Sequence, residues 1–221
     1  MEMRGEGLAQ QLAEGVAALR LDLSPAQQTR LLDYLALLAK WNAVYNLTAI
    51  RDPQAMLVQH LLDSLAIVPE LALHTQGRPF RLLDVGSGGG LPGIPAAIAM
   101  PQAQVMLIDP VHKKTAFLTQ VKAGLQLSNL RVLTGKAEEV RAVEVDARYD
   151  VITSRAFSSL GEFVQLAQHL LAPEGFFAAM KGVVPEEEIR ALPSEFHAYG
   201  VIPLQVPGLD AERCLVLIRK K

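Results

Sequence analysis

A short apolar strand that leads into a glycine-rich turn is the feature that most restricts the fold of this 221-residue chain. Arg81-Leu82-Leu83-Asp84-Val85 has the composition of a buried strand, and Gly86, Gly88 and Gly90 follow it. Glycine adopts backbone angles that other residues avoid and leaves room for a ligand against the main chain. A helical pattern over 92–99 follows at once, so the segment predicts a nucleotide-type binding turn between a strand and a helix.

Strand and helix patterns alternate from Arg81 onward. The predicted strands are 81–85, 105–108, 130–133, 149–153 and 175–180, and the helical patterns between them are 92–99, 112–125, 137–140 and 160–170. This alternation predicts a parallel sheet with right-handed crossovers.

The C-terminal pattern differs from this alternation. A helix is predicted from Pro185 through Phe196, followed by strands at 199–205 and 213–219 with Pro207-Gly208-Leu209-Asp210 between them. A connection of that length predicts an antiparallel pair. Five parallel strands followed by a terminal hairpin are typical of the seven-stranded, mostly parallel α/β sheet of methyltransferases.

The first 74 residues predict helices rather than strands. Ser24-Pro25-Ala26-Gln27 has the residues of a helix start with a capping box, and Asp52-Pro53 begins a second helix. Both helices carry an apolar stripe that needs a partner, and the sheet is the expected one. We therefore expect an N-terminal helical extension over 1–74, packed on a ligand-binding domain over 75–221.

Composition limits the compartment and the partners. The net charge of −2 means that any nucleic-acid contact needs a local basic face. The single cysteine, Cys214, excludes a disulfide within the chain and fits a reducing cytoplasm. The acidic N-terminus lacks the apolar segment of a signal peptide, and the long uncharged stretch 85–108 is interrupted by glycine and proline, so we expect a cytoplasmic protein without membrane contact.

The glycine turn alone does not identify the cofactor. Gly88-Gly89-Gly90-Leu91-Pro92-Gly93 also matches the dinucleotide pattern, but Asp84 at the strand end suits the cationic sulfonium and ammonium groups of S-adenosylmethionine better than a pyrophosphate. Asp109, which ends the second strand, suits the ribose hydroxyls of either cofactor. No second domain for hydride transfer follows, so S-adenosylmethionine is favoured.

The loop after the third strand, Gly135-Lys136-Ala137-Glu138-Glu139, has two interpretations. Its backbone could contact an adenine edge, with Ala137 small enough for the ring to lie against it. It could equally be an ordinary helix start with acidic residues in the first turn.

The methyl acceptor in such a fold is held by the loop after the fourth strand, here Thr153 to Ser159. This loop lacks the Asn/Asp-Pro-Pro-aromatic motif of enzymes that methylate exocyclic amines. Cys214 lies in a predicted strand, where a buried hydrophobe is the expected role rather than the thiol nucleophile of C5 methylation. Guanine N7 needs no general base, and Arg155 suits the O6/N7 edge of guanine, the cofactor carboxylate or a helix cap.

Several further motifs occur in a fixed order along the chain. They are Trp41-Asn42-x-x-Tyr45-Asn46-Leu47-Thr48-Ala49-Ile50, His60-x-x-Asp63-Ser64-Leu65, the run from Leu83 to Pro95, Lys113-Lys114-x-x-Phe117-Leu118, Ala137-Glu138-Glu139, Ser154-Arg155-Ala156 and Met180-Lys181-Gly182. From about Leu31 to Lys221 the chain resembles the bacterial family of small-subunit ribosomal RNA guanine-N7 methyltransferases, RsmG, also called GidB. The resemblance implies a class I, Rossmann-like fold, S-adenosyl-L-methionine as methyl donor, and N7 of a guanine in the decoding-region loop of 16S rRNA as acceptor.

The resemblance also implies particular cofactor-binding residues, which are Gly86, Leu91, Ala137, Glu138 and Arg155. The reasoning from the residues themselves adds Asp84, Gly88 and Asp109 to the cofactor site and makes Arg155 the candidate catalytic residue. The family often has Asp-Ser where this chain has Asp109-Pro110, so the acid is kept and a serine contact is lost.

The candidate substrate residues have two alternative roles. In the family context Asn46, Thr48, His60 and Asp63 line the cleft over the cofactor, where they either touch RNA or fix the helices on the sheet. Positive charge for RNA contact is expected from Lys113, Lys114 and Lys181, with Arg51 and Arg219-Lys220-Lys221 as further candidates.

The expected partner is 16S rRNA, within the small ribosomal subunit or a precursor of it, and a monomer is the simplest expectation. The alternative functions are a methyltransferase of the same fold that acts on a small molecule or protein, a nicotinamide-dependent oxidoreductase, and a non-catalytic RNA-binding module with a vestigial site, against which the intact glycine turn and Asp109 argue. The five histidines show no ligand spacing with each other or with Cys214, so no metal site is expected.

Overall fold

The computed structural model describes residues 2–141, 148–155, 157 and 159–221. The helices are α1 (Glu2–Ala18), α2 (Pro25–Tyr45), α3 (Pro53–Met56), α4 (Asp63–Leu65), α5 (Val68–His74), α6 (Gly93–Ala99), α7 (His112–Gly124), α8 (Leu160–Ala167) and α9 (Glu186–Arg190). The strands are β1 (Phe80–Val85), β2 (Ala103–Asp109), β3 (Leu130–Thr134), β4 (Tyr149–Ser154), β5 (Leu171–Lys181), β6 (Phe196–Pro203) and β7 (Cys214–Lys220). A π-helical turn, Leu57–Leu62, joins α3 to α4.

The strands form one seven-stranded sheet in the order β3-β2-β1-β4-β5-β7-β6. The pairs among β1 to β5 are parallel, and β7 pairs antiparallel with both β5 and β6. This confirms the predicted α/β class and the terminal hairpin. The chain runs outward from β1 to β3 and then returns to β4, so β1 and β4 are neighbours where the strand order reverses. Ligands of open parallel sheets bind at such a position, beyond the carboxyl ends of the strands.

The sheet has a hydrophobic core on each face. Neighbouring residues of a strand pack into different cores, because side chains alternate between the faces of a sheet. In β1, Leu82 packs with the N-terminal helices, α6 and α7, whereas Leu83 packs on the opposite face with α8. Both side chains are fully buried. The sheet is therefore the middle of three layers, as expected for a parallel sheet.

The N-terminal helices start where the sequence predicts. Ser24 accepts a hydrogen bond from the backbone N–H of Gln27 and the Gln27 side chain accepts from the backbone of Ser24, so the predicted capping box is confirmed. The Asp52 side chain caps α3 by accepting from the backbone N–H of Ala55 at 2.8 Å. The buried face of these helices belongs to the same core as the sheet. The division into two domains near residue 74 stays a prediction.

One segment, Pro53–His74, is long and apolar enough to cross a membrane by length and composition. Its most apolar window is 72% buried inside the fold, which is typical of a core helix.

The predicted helix from Pro185 through Phe196 is wrong in its second half. The helix α9 ends at Arg190, and Phe196 is the first residue of β6. Pro193 explains the early end, because the residue before a proline is disfavoured in the helical conformation. Phe196 is 3% exposed and packs edge-on against Phe177, so burial begins the strand three residues before the predicted Tyr199.

The predicted tight connection between the last two strands is also wrong in length. Pro203 pairs with Cys214, and the backbone N–H of Leu204 donates to Arg213 O, so the turn is a wide loop closed at its base. We call residues 204–213 the hairpin loop. This loop forms one side of a cavity.

The junction between β1 and α6 is packed without spare room. The backbone N–H of Gly93 donates to Oδ2 of Asp84 at 2.9 Å. A Cβ on Gly93 would overlap Cδ2 of Leu107 and lie 2.8 Å from Asp84 Oδ2. The close contact of helix and strand therefore requires glycine at this position.

We expect Gly93→Ala to lower the free energy of unfolding by about 1–3 kcal/mol, because the added methyl group overpacks a buried junction. Equilibrium urea unfolding measures this. Gly124→Ala is the matched control, since a Cβ there meets only Leu37 Cδ1 at 3.9 Å and alanine favours the helix. Equal stability of the two variants would contradict the packing argument.

Candidate functional site

The carboxyl ends of β1 and β4 bring the glycine turn and Arg155 together. Asp84 is in register with Thr153, and the Ser154 hydroxyl donates to Val85 O at 2.8 Å. Gly86 and Arg155 are the first residues after the two strands. The predicted cofactor turn and the predicted catalytic residue thus lie at the point where the strand order reverses.

The turn after β1 takes its shape from backbone hydrogen bonds. The N–H groups of Gly86 and Ser87 donate to Ile108 O at 2.9 and 3.1 Å, and the N–H of Gly90 donates to Ser87 O at 2.7 Å. Gly86 and Gly88 have φ angles of 69° and 59°, which side chains disfavour. A Cβ on Gly88 would have only Gly86 O near it, at 3.9 Å, so the space over the turn is open.

Asp109 holds the turn from the end of β2. Its Oδ2 accepts from the N–H of Gly88 at 2.9 Å, and its Oδ1 accepts from the N–H of Val111 at 2.9 Å. The Lys114 ammonium lies 3.6 Å from Oδ2. The carboxylate is 2% exposed and lines a cavity, so its remaining lone pairs can accept hydrogen bonds from a ligand there.

This cavity has a volume of about 370 Å³, and we call it the cofactor cavity. Gly86 and Asp109 form its polar end, and Val111, Ala137 and Phe157 belong to its mostly apolar remainder. Ala137 is 4% exposed and begins a single 3-10 turn, Ala137–Glu139, within the short helical pattern predicted over 137–140. A carboxylate beside an apolar slot fits a nucleoside, with its ribose on Asp109 and its base among the apolar side chains.

Asp84 lies beneath the turn and lines none of the cavities described here. Its side chain is fully buried, Oδ2 accepts from the N–H of Gly93, and Oδ1 has no hydrogen-bond partner among the residues that the structure describes. Burial raises the pKa of this carboxyl to about 7, and the nearby positive charge of Arg155 only partly offsets the effect. The predicted contact of Asp84 with cofactor cations stays a prediction, whereas its bond to α6 is visible.

The N-terminal extension contacts the turn directly through α2. The hydroxyl of Tyr34 donates to Gly89 O at 2.6 Å, and Leu38 Cδ1 lies 3.2 Å from where a Cβ on Gly89 would stand. Tyr34 is fully buried, and burial raises its pKa, so it remains a hydrogen-bond donor. Sequence reasoning missed Tyr34, although its helical spacing between Leu31 and Leu38 places it on the buried stripe.

Two further cavities continue from the turn. The central cavity, of about 220 Å³, includes Gly86, Gly88 and Leu91, which the sequence predicts as cofactor residues. The arginine cavity, of about 370 Å³, includes Asp63, Lys181 and Arg213. Arg155 and His60 line both. Gly86 also lines the cofactor cavity, so the three cavities are neighbours that share lining residues, and we call this series of cavities the path.

His60 is a buried, neutral imidazole in this path. Its Nδ1 lies 3.1 Å from Gln59 O and its Nε2 lies 2.9 Å from the Thr48 hydroxyl. Since a carbonyl only accepts, Nδ1 carries the proton and Nε2 accepts from Thr48. Burial, and to a smaller extent the nearby charge of Arg155, lower the His60 pKa to about 4. His60 therefore adds no positive charge at neutral pH.

Asp63 binds two arginines from different parts of the chain. Its Oδ2 accepts from Nη1 of Arg155 at 2.8 Å and its Oδ1 accepts from Nε of Arg213 at 2.9 Å. The Asp63 side chain is 5% exposed, and those of Arg155 and Arg213 are 23% and 25% exposed. Arg155 also donates to Gln59 O at 3.2 Å. Sequence reasoning named Asp63 and Arg155, but it gave Arg213 no role, because nothing near Arg213 in the sequence marks it.

The other predicted substrate residues do not form one group. Lys114 lines the cofactor cavity beside Asp109, and Lys113 is exposed on α7. Lys181 lines the arginine cavity, where its ammonium binds Glu188 at 2.8 Å. Asn46 is exposed at the end of α2 and accepts from Arg51 at 3.0 Å. A substrate that touches all four residues would have to extend over several helices.

Cys214 is 2% exposed at the start of β7, and burial raises its pKa, so the thiol is a small buried group as predicted. Among the described residues no group of three or more His, Cys, Asp or Glu side chains could hold a metal ion.

Comparison with known proteins identifies relatives over most of the chain. The family model described as rRNA small subunit methyltransferase G matches residues 27–216. Ribosomal RNA small subunit methyltransferase G of Burkholderia pseudomallei (strain 1106a) is 58% identical over 212 residues, which are 96% of this chain and 90% of that protein. The protein of the same name from Burkholderia mallei (strain NCTC 10229) is also 58% identical, over 96% of this chain and 91% of its own.

Solved structures share the fold at low sequence identity. The glycopeptide N-methyltransferase MtfA, complexed with S-adenosyl-L-methionine, superposes with a TM-score of 0.59 and 13% identity, over 72% of this chain and 95% of its own. Likeness at this identity concerns the fold alone, and it confirms the predicted Rossmann-like methyltransferase fold.

We expect Asp84→Asn to remove a specific pH dependence of stability. Because the folded pKa of about 7 exceeds the ordinary 3.8, Asp84 favours the folded state at low pH, and this contribution is lost as the pH rises through 7. Between about pH 4 and pH 7.5 the wild type should lose up to about 4 kcal/mol more than the variant in free energy of unfolding. Urea unfolding at a series of pH values measures the difference. Asp22→Asn, at an exposed aspartate, controls for the lost charge, and parallel pH profiles of all three proteins would refute the prediction.

Tyr34→Phe should weaken cofactor binding while the fold persists, because the Gly89 carbonyl loses its donor and the turn loses one support. We expect the binding free energy of S-adenosylhomocysteine to weaken by about 1 kcal/mol, which corresponds to a roughly fivefold higher Kd. Calorimetry measures this Kd. Tyr45→Phe is the control on the same helix, since Tyr45 is 42% exposed. An unchanged Kd in the Tyr34 variant would show that α2 does not support the cofactor turn.

Proposed function

Because the chain belongs to the family of rRNA small subunit methyltransferase G, we propose that it transfers a methyl group to N7 of a guanine in the decoding-region loop of 16S rRNA. S-adenosylmethionine is the methyl donor of this methyltransferase family. The observation that carries the proposal is the position of Arg155, which lines both the cavity beside the glycine turn and a neighbouring cavity with two further cations.

The residues of the cofactor cavity and the turn fit the donor. When bound, S-adenosylmethionine supplies an electrophilic methyl group. Asp109 accepts from the ribose hydroxyls, and Ala137 and Glu138 border the adenine. Leu91 and the glycines of the turn leave space for the methionine portion in the central cavity. Nε and Nη2 of Arg155 have no hydrogen-bond partner among the described residues, so they are available to the methionine carboxylate or to the acceptor base.

The acceptor atom explains why no general base is needed. Guanine N7 carries a free lone pair and no proton, so the protein has to align the base rather than deprotonate it. Arg155 can donate to O6 of the guanine from the edge of the central cavity. Methylation at N7 leaves a positive charge on the base, and a neutral His60 beside the cavity avoids a repulsion that a charged imidazole would cause.

The net charge of the chain indicates that the substrate is a particle rather than naked RNA. With a net charge of −2, the chain binds naked RNA weakly, so we infer that the small ribosomal subunit or a precursor supplies the remaining contacts. Lys113, Lys114 and Asn46 are the candidate contacts outside the cavities. The protein acts as a monomer in the cytoplasm, where such particles occur.

The deciding experiment incubates the protein with labelled S-adenosylmethionine and small subunits that lack the modification. We expect one label per particle, located by aniline cleavage because N7-methylguanine is alkali-labile. No incorporation into particles or rRNA would refute the proposed acceptor. Incorporation at a position resistant to cleavage would refute N7.

In the same assay Arg155→Ala should lower kcat by about a hundredfold or more, because the donor aimed at the reacting groups is lost. Arg78→Ala removes an exposed arginine that lines none of the cavities and should retain full turnover. Calorimetry with S-adenosylhomocysteine and a melting curve check the fold of each variant. A folded Arg155 variant with unchanged turnover would show that Arg155 has no role in the transfer.

A further inference from the structure

A fourth cavity adjoins the path described above, and we call it the C-terminal cavity. It has a volume of about 650 Å³ and lies between the segment after β5 and the hairpin loop. Gly182 and Arg213 line both this cavity and the arginine cavity, so the two are neighbours. Its size lies within the range of pockets that bind small organic groups. Neither the cofactor nor the target base occupies it in the proposed function.

Arg213 lies at the junction of the two cavities and has N–H donors that are not used within the described residues. Its Nε binds Asp63 at 2.9 Å and its Nη1 donates to Glu212 O at 2.8 Å. Its Nη2 has no hydrogen-bond partner among the described residues. A guanidinium fixed on one edge by a buried carboxylate presents its other edge in a set direction, which suits a phosphate oxygen.

The walls of the C-terminal cavity suit a planar base rather than another phosphate. Val184, Val206 and Leu209 supply apolar surface, and Val184 is 47% exposed. Gln205, Asp210 and Glu212 supply hydrogen-bonding groups, of which the two carboxylates repel a phosphate and accept from an exocyclic amine. Single-stranded RNA loops present splayed bases that proteins hold in this way.

We propose that the C-terminal cavity is a second base subsite, which binds the nucleobase next to the target guanine while the phosphate between the two nucleotides lies on Arg213. The proposal rests on the rRNA substrate proposed above. It commits to a base that carries an exocyclic amino group. The subsite selects the sequence outside the reacting base, because it accepts only some neighbouring bases. Two adjacent nucleotides that bind with the second base in the C-terminal cavity must have their linking phosphate at Arg213.

The first test fills the cavity without touching Asp63 or the cofactor. Ala211 is exposed in the hairpin loop and lines the C-terminal cavity, so Ala211→Trp blocks it. We expect the KM for unmodified small subunits to rise about tenfold, with an unchanged Kd for S-adenosylhomocysteine. Ala17→Trp, at an exposed alanine of α1, is the matched control and should retain the wild-type KM.

The second test measures whether Arg213 contacts a phosphate, through the salt dependence of small-subunit binding. Each phosphate contact adds about one unit to the slope of log binding constant against log salt concentration. Arg213→Gln should lower that slope for small-subunit binding by about one, an effect that mere loosening of the loop would not produce. Arg78→Gln removes a charge from a surface distant from the cavities and should leave the slope unchanged.

The outcomes separate the two proposals. If the wild type labels the particles but Ala211→Trp matches Ala17→Trp in KM, the base subsite is refuted while the proposed function stands. An unchanged salt slope in Arg213→Gln, with wild-type binding of S-adenosylhomocysteine, refutes the phosphate position even if the first test succeeds. If the wild type labels no RNA, both proposals fail together.

Discussion

The pairing of Asp63 with Arg155 and Arg213 is the interaction on which the site depends most. It joins the N-terminal extension, the end of β4 and the start of β7, which are far apart in the sequence. Removing one partner of a buried ion pair leaves an uncompensated charge and costs about 3–5 kcal/mol, whereas the intact pair contributes little net stability. The partial exposure of both arginines reduces that cost. The value of the arrangement is therefore geometric: one carboxylate sets the direction of two guanidinium groups.

Several polar side chains near the glycine turn do not carry a full charge at neutral pH. His60 is uncharged at neutral pH, Tyr34 keeps its proton, and Asp84 titrates near pH 7 beneath the turn. The proposed methyl transfer from a sulfonium to N7 would move one positive charge from the cofactor to the base and create no new net charge. A site of this kind gains from fixed donors and shape rather than from a proton acceptor, which fits the oriented guanidinium of Arg155 beside the neutral imidazole of His60.

Local sequence patterns were sufficient to predict the sheet, the glycine turn and the cap of α2. These features depend on residues within a few positions of one another, such as Ser24 and Gln27 or the alternation of Leu82 and Leu83. The missed features depend on contacts between distant residues. Tyr34 reaches Gly89 across 55 positions and Arg213 reaches Asp63 across 150, and no local signal marks either pair. The early end of α9 was predictable in principle, because Pro193 lies inside the proposed helix, but the burial of Phe196 decides where β6 begins.

The shape of the acceptor region bears on the alternative functions. An enzyme for a small apolar substrate would be expected to enclose it in a deep apolar pocket, whereas the cavities beside Arg155 are bordered by Asp63, Lys181 and Arg213 and continue into the C-terminal cavity. A row of neighbouring cavities suits a polymer whose successive units occupy successive sites. An oxidoreductase would need a residue that handles hydride beside the turn, and the groups there are a neutral imidazole and an arginine held by a carboxylate. Two guanidinium groups held in fixed directions by one carboxylate instead suit a substrate that carries phosphate groups and is aligned at one base.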